Sequence, residues 1–336
     1  MRLFNPHLIL FTLSILFSPH TIYADRMSVV FDNDALFPGN ENDGSYTNGL
    51  QIGWLGDELH SDDQNESEPQ YGIFMQSAVN AIPFISLDEQ KNHSAGISVR
   101  QMIFTPSDVS KSQVNYNDTP YAGALLTSLF LFEWDSYNYD EFSIKLGVVG
   151  PASGAEQMQK LGHKVGPFND PKGWDHQLDN QLMFGIAYEY GEKTWTTHYD
   201  NGLASDWVNT LRFEVGNFIT GFSCNTIWRI GENYPNGFKT YYPGMMGNSA
   251  LLTEAAKSTG WSLSAGLEAD AISYFYVIDS ADQYNIDRNR FSGSLIGSAS
   301  LYLDNVEISL SMRYGTSMLK HHSETKLGSI IAIWHF

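Results

Sequence analysis

Three stretches of this chain alternate strictly between apolar and polar side chains, and that period of two constrains the fold more than any other feature. Val306, Ile308, Leu310, Met312 and Tyr314 share one face, with Glu307, Ser309, Ser311 and Arg313 on the other. Trp261, Leu263, Ala265, Leu267, Ala269 and Ala271 oppose Ser262, Ser264, Gly266, Glu268 and Asp270, and Phe142, Ile144, Leu146 and Val148 oppose Ser143, Lys145 and Gly147. Such alternation is the mark of a half-buried strand. Here the polar faces carry charges and small residues, and the runs are long. Strands of about 9–11 residues, apolar outward and polar inward, are what a bilayer demands. In lipid every backbone N–H and C=O must be paired, so the sheet has to close on itself. A soluble sandwich also alternates and is the competing reading.

About twelve strand candidates are centred near Val30, Gln51, Val99, Ser128, Lys145, Ile186, Phe213, Asn225, Glu268, Ser298, Leu310 and Ile331. The expected fold is therefore all-β: a closed antiparallel transmembrane β-barrel, with a short helix in an extracellular loop. An even count returns both termini to one side, and the boundaries near Asn225 and Phe275 leave ten or fourteen strands open. Ile330, Ala332, Trp334 and Phe336 share one face of a last strand that ends on an aromatic, although the other face, Ser329, Ile331, Ile333 and His335, is only partly polar. The first residues read as an export signal. Arg2 is its basic start, Leu8–Phe17 its apolar core, and Ala24 its last residue; the core is too short for a membrane-spanning helix. Residues 25–336 then form one barrel domain, expected in the bacterial outer membrane as a monomer.

The net charge of −19 repels nucleic acid and is compatible with cation binding. A single cysteine, Cys224, excludes an internal disulfide framework.

Three polar segments interrupt the strands: Asp32–Gly49, Thr105–Gly123 and Gly150–Asp175. They are the first, third and fifth connections, and odd connections of an up-and-down barrel emerge at one end. They are expected to meet at the outer mouth. The long connection Gly56–Ser94 would lie at the other end, against the short-turn rule. Within the third segment, Ala155–Val165 reads as a helix on which Gln159 and His163, four apart, share a face. The chain has ten histidines, and spacing alone does not choose among them. Asp32, Asn33 and Asp34 with Thr47 form an oxygen-rich cluster of the kind calcium takes, or an Asx-turn at a strand end. The offsets are not those of an EF-hand.

Taken together these segments resemble the lipid A 3′-O-deacylase family of outer-membrane barrels. The residues that carry the resemblance are Asn33-Asp34, Tyr46-Thr47-Asn48-Gly49, Thr105-Pro106, Pro120-Tyr121-Ala122-Gly123, Leu146–Pro151, Gln159–His163 and Lys172-Gly173-Trp174-Asp175. It covers residues 27 to 190 well. It implies a twelve-stranded barrel with a calcium-dependent site at its outer mouth, acting on lipid A or lipopolysaccharide among the outer-membrane lipids. It also implies roles for Asn33, Asp34, Thr47, Lys111, Gln159 and His163. Where the family places a glutamate after the histidine, this chain has Asn169, with Asp170 next to it as the substitute metal ligand. The expected chemistry is ester hydrolysis by water, with His163 as general base. Two other readings stand beside it: a phospholipase with Ser153 as nucleophile, and a non-catalytic channel or binding barrel whose polar inner face lines a pore.

Overall fold

The computed structural model describes residues 26–39, 45–56, 70–82, 87–88, 90–165, 170–238, 241–247, 258–281, 283–320 and 324–336. The export signal and Asn169 lie outside the described residues. The strands are β1 (Arg26–Asn33), β2 (Ser45–Leu55), β3 (Asn92–Thr105), β4 (Ala122–Trp134), β5 (Asn138–Val149), β6 (Gln181–His198), β7 (Leu203–Gly216), β8 (Ile219–Glu232), β9 (Gly260–Phe275), β10 (Phe291–Leu303), β11 (Val306–Thr316) and β12 (Glu324–His335). Each pairs antiparallel with its neighbours in sequence, and β1 closes on β12, with Arg26 opposite His335 and Asn33 opposite Gly328. Among the described residues the α-helices are α1 (Gln70–Asn80), α2 (Ala155–Val165) and α3 (Tyr276–Asp279). None is long and apolar enough to cross a membrane. All twelve expected strands are present, and β8 and β9 settle the doubtful boundaries near Asn225 and Phe275.

The alternation falls where the sequence puts it. Ile308, Leu310, Met312 and Tyr314 are exposed on the outer face of β11, whereas Glu307, Ser309 and Ser311 are buried inside. Leu182, Phe184, Ile186, Phe213, Leu263, Leu267 and Leu295 are likewise exposed outward, Leu182 by 74 %. So much contiguous exposed apolar surface is tolerable only against lipid. Trp195, Trp207 and Trp228 lie side by side near one rim of this band, with Trp261 at the same end of β9, where amphipathic rings meet the headgroup level. That rim is the periplasmic one, since it carries both termini and the short turns after β4, β6 and β10.

The lumen is packed. Lys145 Nζ donates to both carboxylate oxygens of Glu214 at 2.7 Å, and Arg212 reaches Glu189 (3.2 Å), Glu214 (3.4 Å) and Glu141 (3.6 Å). Removing one partner of such a buried pair costs about 3–5 kcal/mol, because the other charge is stranded. The connection between β8 and β9 rises into the lumen from the periplasmic end. Its Phe238 packs on Phe130, Phe132 and Tyr139, its Gly237 carbonyl accepts from Arg229 at 2.5 Å, and its Tyr241 packs on Val30, Ile331 and Ile333. This last contact explains the imperfect last strand: Ile331 and Ile333 face inward and are covered by Tyr241. An open polar pore, as the channel reading requires, is not what the described inner wall presents.

The long second connection contains α1, which the alternation does not reveal. Met75 and Val79 pack on Ala95, Leu131 and Phe142, outward-facing residues of β3, β4 and β5. The helix has no charged residue and leaves Ile73 and Phe74 exposed. An uncharged helix laid on a lipid-facing wall has no need of the short turn that a water-facing connection would favour.

Candidate active site

Strand β1 ends in a turn of 3-10 helix, Asp34–Leu36, capped by Asn33, whose side-chain oxygen accepts from Ala35 N at 2.8 Å. The register sets Asn33 opposite both Asn48 of β2 and Gly328 of β12. Leu36 lies over Gly328, where a Cβ would come within 2.6 Å of Leu36 Cβ. The turn therefore folds onto the wall, and it buries Asp34. Across from it β2 carries a bulge. Tyr46 pairs with Phe104 and Asn48 with Ile103, leaving Thr47 as the extra residue. A bulge re-aims a side chain. Tyr46 points into the lumen, and Thr47 points to the same side as Thr105, with their hydroxyl oxygens 2.7 Å apart. Both threonines are buried.

Next around the barrel, α2 lies against β3 and β4. Ala155 is fully buried with Ile103, Val109, Tyr121 and Trp174. It sits on Gly123, the glycine that makes the approach possible: a Cβ there would be 2.1 Å from Ala155 Cβ and 2.2 Å from Ser153 Oγ. Gln101 Nε2 donates to the Ser153 carbonyl at 2.7 Å and holds the entry to the helix. Ala155, Gln159 and His163 form one stripe, buried, buried and half-buried, turned to the wall; Met158 and Leu161 are exposed away from it. Gln159 Oε1 accepts from Trp174 Nε1 at 2.8 Å, while its Nε2 is buried and has no hydrogen-bond partner among the described residues. A buried donor left unpaired costs about 1–3 kcal/mol, and a group in that state is poised to bind an oxygen that arrives with a substrate.

Asn33, Thr47, Thr105, Gln101, Ile103 and Gly123 all belong to the outward alternation of their strands. These residues therefore face the outer wall at its outer end rather than the lumen, with α2 as the second side of the candidate site. The reason is local. Ala155 and Gly123 are small enough for close contact, and Trp174 and Tyr121, their rings tilted against each other at 5.0 Å between centres, cover the junction. The top of the lumen is filled instead by Phe104, Phe218 and Phe275.

The remaining expected residues are placed less centrally. The third connection is tied to the fifth by Lys172 N donating to Val109 O at 3.0 Å, and Lys111 and Asp170 flank that tie. Both are exposed. Lys111 pairs with Asp108 at 3.0 Å. The Ser110 hydroxyl and the Lys111 ammonium hold the Asp108 carboxyl below the usual carboxylate range, so Lys111 keeps a charged neighbour at neutral pH. Lys160 pairs with Glu156 at 2.5 Å, which raises its pKa. Ser153 is buried beneath the start of α2, its Oγ accepting weakly from Ala155 N at 3.4 Å. Helical rise separates Ala155 from His163 by about 12 Å, so Ser153 and His163 do not form a nucleophile–base pair. Gln101 supports the site without having been singled out, and Thr105 and Trp174, named in the sequence only among the residues of the resemblance, prove to contact Thr47 and Gln159; the clue to Gln101 was a polar side chain on an outward strand position.

A model of the family described as outer membrane protein LpxR matches residues 7–336. Among solved structures, LpxR from Salmonella typhimurium matches with a TM-score of 0.72 at 16 % identity, covering 93 % of this chain and 100 % of that chain. The beta domain of the Bordetella autotransporter BrkA is matched at a TM-score of 0.47 and 9 % identity, covering 94 % and 100 %. No curated protein matches by sequence.

Proposed function

This chain belongs to the family of the outer membrane protein LpxR, a barrel of the bacterial outer membrane, and from that premise we propose that it hydrolyses an acyl ester of lipid A, the 3′-O-linked chain, at the outer face of that membrane. The observation that carries this reading is the stripe of Gln159 and His163 turned to the lipid-facing wall at its outer end, the face to which Asn33 and Thr47 also point. That is the depth at which a lipid ester meets water. A lipid moving laterally in the outer leaflet reaches it without leaving the bilayer.

In the proposed reaction His163 takes a proton from a water whose oxygen adds to the ester carbonyl carbon. The acyl C–O bond then breaks, the proton passes to the sugar oxygen, and a free fatty acid leaves. A base of this type works best when it titrates near the working pH, as histidine does. The unpaired Nε2 of Gln159 is placed to hold the water or the ester oxygen. Asn33 fixes the turn that presents Asp34. Asp34 and Thr47, with Asp170 from the exposed fifth connection, offer the hard oxygen donors that suit calcium. The buried carboxylate of Asp34, next to the Asn33 cap, is the feature that fits a cation. Bound there, calcium would polarise the ester carbonyl and offset the oxyanion charge.

Mass spectrometry of lipid A from cells making this protein is expected to show loss of one acyl chain; unchanged lipid A together with ion conductance in planar bilayers would instead support a channel. Chelation with EGTA should abolish the activity and added calcium restore it, whereas full turnover in EGTA would remove the metal from the scheme. Lys111 is exposed and half-neutralised by Asp108, so its part is attraction of a lipid A phosphate. Lys111→Ala should therefore raise KM by roughly three- to tenfold with little change in kcat, the pattern of uniform binding. A kcat loss at unchanged KM would argue for a role in the chemical step.

A further inference from the structure

Asp32 lies on the inner face of the wall, one residue before Asn33, and gathers an unusual number of donors. Its Oδ2 accepts from Tyr46 OH at 2.7 Å, Tyr241 OH at 2.6 Å and Arg100 Nη2 at 3.0 Å, and the Ser329 hydroxyl donates to its Oδ1. Arg100 also reaches Tyr241 OH at 2.9 Å and donates to the Gly244 carbonyl. Tyr241 and Gly244 are not part of the wall. They belong to the connection that rises through the lumen from the periplasmic end.

The hub stands directly behind the candidate site. Successive strand residues point to opposite faces with Cα atoms about 3.8 Å apart. Asp32 points in, and Asn33, the cap that presents Asp34, points out. Tyr46 points in, and the bulged Thr47 points out. A bond between Asp32 and Tyr46 therefore ties together, from behind, the two strand ends that carry the site residues in front. Both ends are open to distortion, one by a turn of 3-10 helix and the other by the bulge.

We infer that Tyr241, carried into the lumen from the periplasmic end, is a positioning residue for the site on the far face of the wall: through Asp32 it fixes the strand ends that present Asn33–Asp34 and Thr47. The site's role rests on the deacylase reading; the mechanical link does not. Its weight comes from the tolerance of catalysis to misplacement, where about 1 Å is enough to lower a rate severely.

The test is Tyr241→Phe in the full chain, folded in detergent micelles. The ring keeps its packing on Val30, Ile331 and Ile333, and only the hydroxyl is lost. Amide hydrogen exchange followed by mass spectrometry should rise about three- to tenfold at residues 33–36 and 47–49, as expected for the loss of one hydrogen bond. The kcat on lipid A should fall by a similar factor at unchanged KM. Phe238→Leu in the same connection, which touches Tyr139 and Phe132 instead, should lower the thermal midpoint while leaving exchange at those strand ends and kcat as they were. Unchanged exchange in Tyr241→Phe overturns the inference; so does raised exchange with an unaltered kcat, or Phe238→Leu reproducing both effects. If the parent barrel is inert on lipid A while the exchange pattern holds, the deacylase reading falls and the hold of Tyr241 on the two strand ends stands.

Discussion

His163→Ala is expected to slow lipid A deacylation by about 10²–10⁴-fold, the range lost when a general base is removed. The barrel itself should be untouched. His163 lies near the end of α2, half-buried, and belongs to none of the clusters that hold the strands together. Replacing it removes a side chain from a helix face that alanine favours. The variant should therefore fold, keep the slow electrophoretic unfolding of an intact barrel, and still bind lipid A. Two comparisons sharpen the reading. Gln159→Leu should cost less than His163→Ala, because Gln159 holds rather than transfers, although Trp174 Nε1 then loses its acceptor. The double variant should cost little more than His163→Ala alone, since groups acting as one unit are not additive. The measurement is the rate of acyl loss by mass spectrometry on folded protein at matched amounts. A His163→Ala barrel that works within tenfold of the parent would leave α2 as a lid and send the search for a base to another residue.

The sequence foretells the strands because lipid and lumen impose opposite chemistries on neighbouring residues. Ile308 and Ser309 could exchange places only by turning the whole strand over. Where a strand departs from alternation, something covers the inner face. Ile331 and Ile333 lie under Tyr241, and Phe130 and Phe132 under Phe238, and no local pattern announces that residues of the connection after β8 return into the barrel. The helix Ala155–Val165 was legible from its spacing, and so was the shared face of Gln159 and His163. The side of the wall on which that helix sits was not. Topology brings odd connections to one end, but whether they fall into the mouth or over the rim is decided by packing at single positions. Gly123 and Gly328 accept close neighbours outside, while Phe104, Phe218 and Phe275 occupy the space within. The helix α1 escaped for a related reason: its uncharged surface answers to the lipid and to the outer faces of β3–β5 rather than to a water-facing pattern.

Gly123→Val should lower kcat by about 10²-fold without unfolding the barrel. The argument rests on what surrounds the missing side chain. A Cβ at Gly123 would lie 2.1 Å from Ala155 Cβ and 2.2 Å from Ser153 Oγ, far inside contact distance. Neither neighbour can yield alone. The Ser153 carbonyl is held by Gln101 at 2.7 Å, and Gly150 N donates to the Gly123 carbonyl at 2.8 Å. The start of α2 must therefore lift from the wall, and Gln159 and His163 move with it, because a helix transmits a tilt along its length. A shift of about 1 Å is enough for a loss of that size. The strand pays little, since Gly123 is at the outer end of β4 and its pairing with Ile103 uses the backbone. Gly162→Ala is the matched control. It lies in the same helix, where a Cβ meets nothing within 4 Å, and alanine should stabilise α2 by about 0.5–1 kcal/mol. Its kcat should equal or slightly exceed that of the parent. Steady-state kinetics on both variants separates the two possibilities: if Gly123→Val keeps the parental rate, the contact of α2 with the outer wall is packing alone, and the residues that do the chemistry are not set by it.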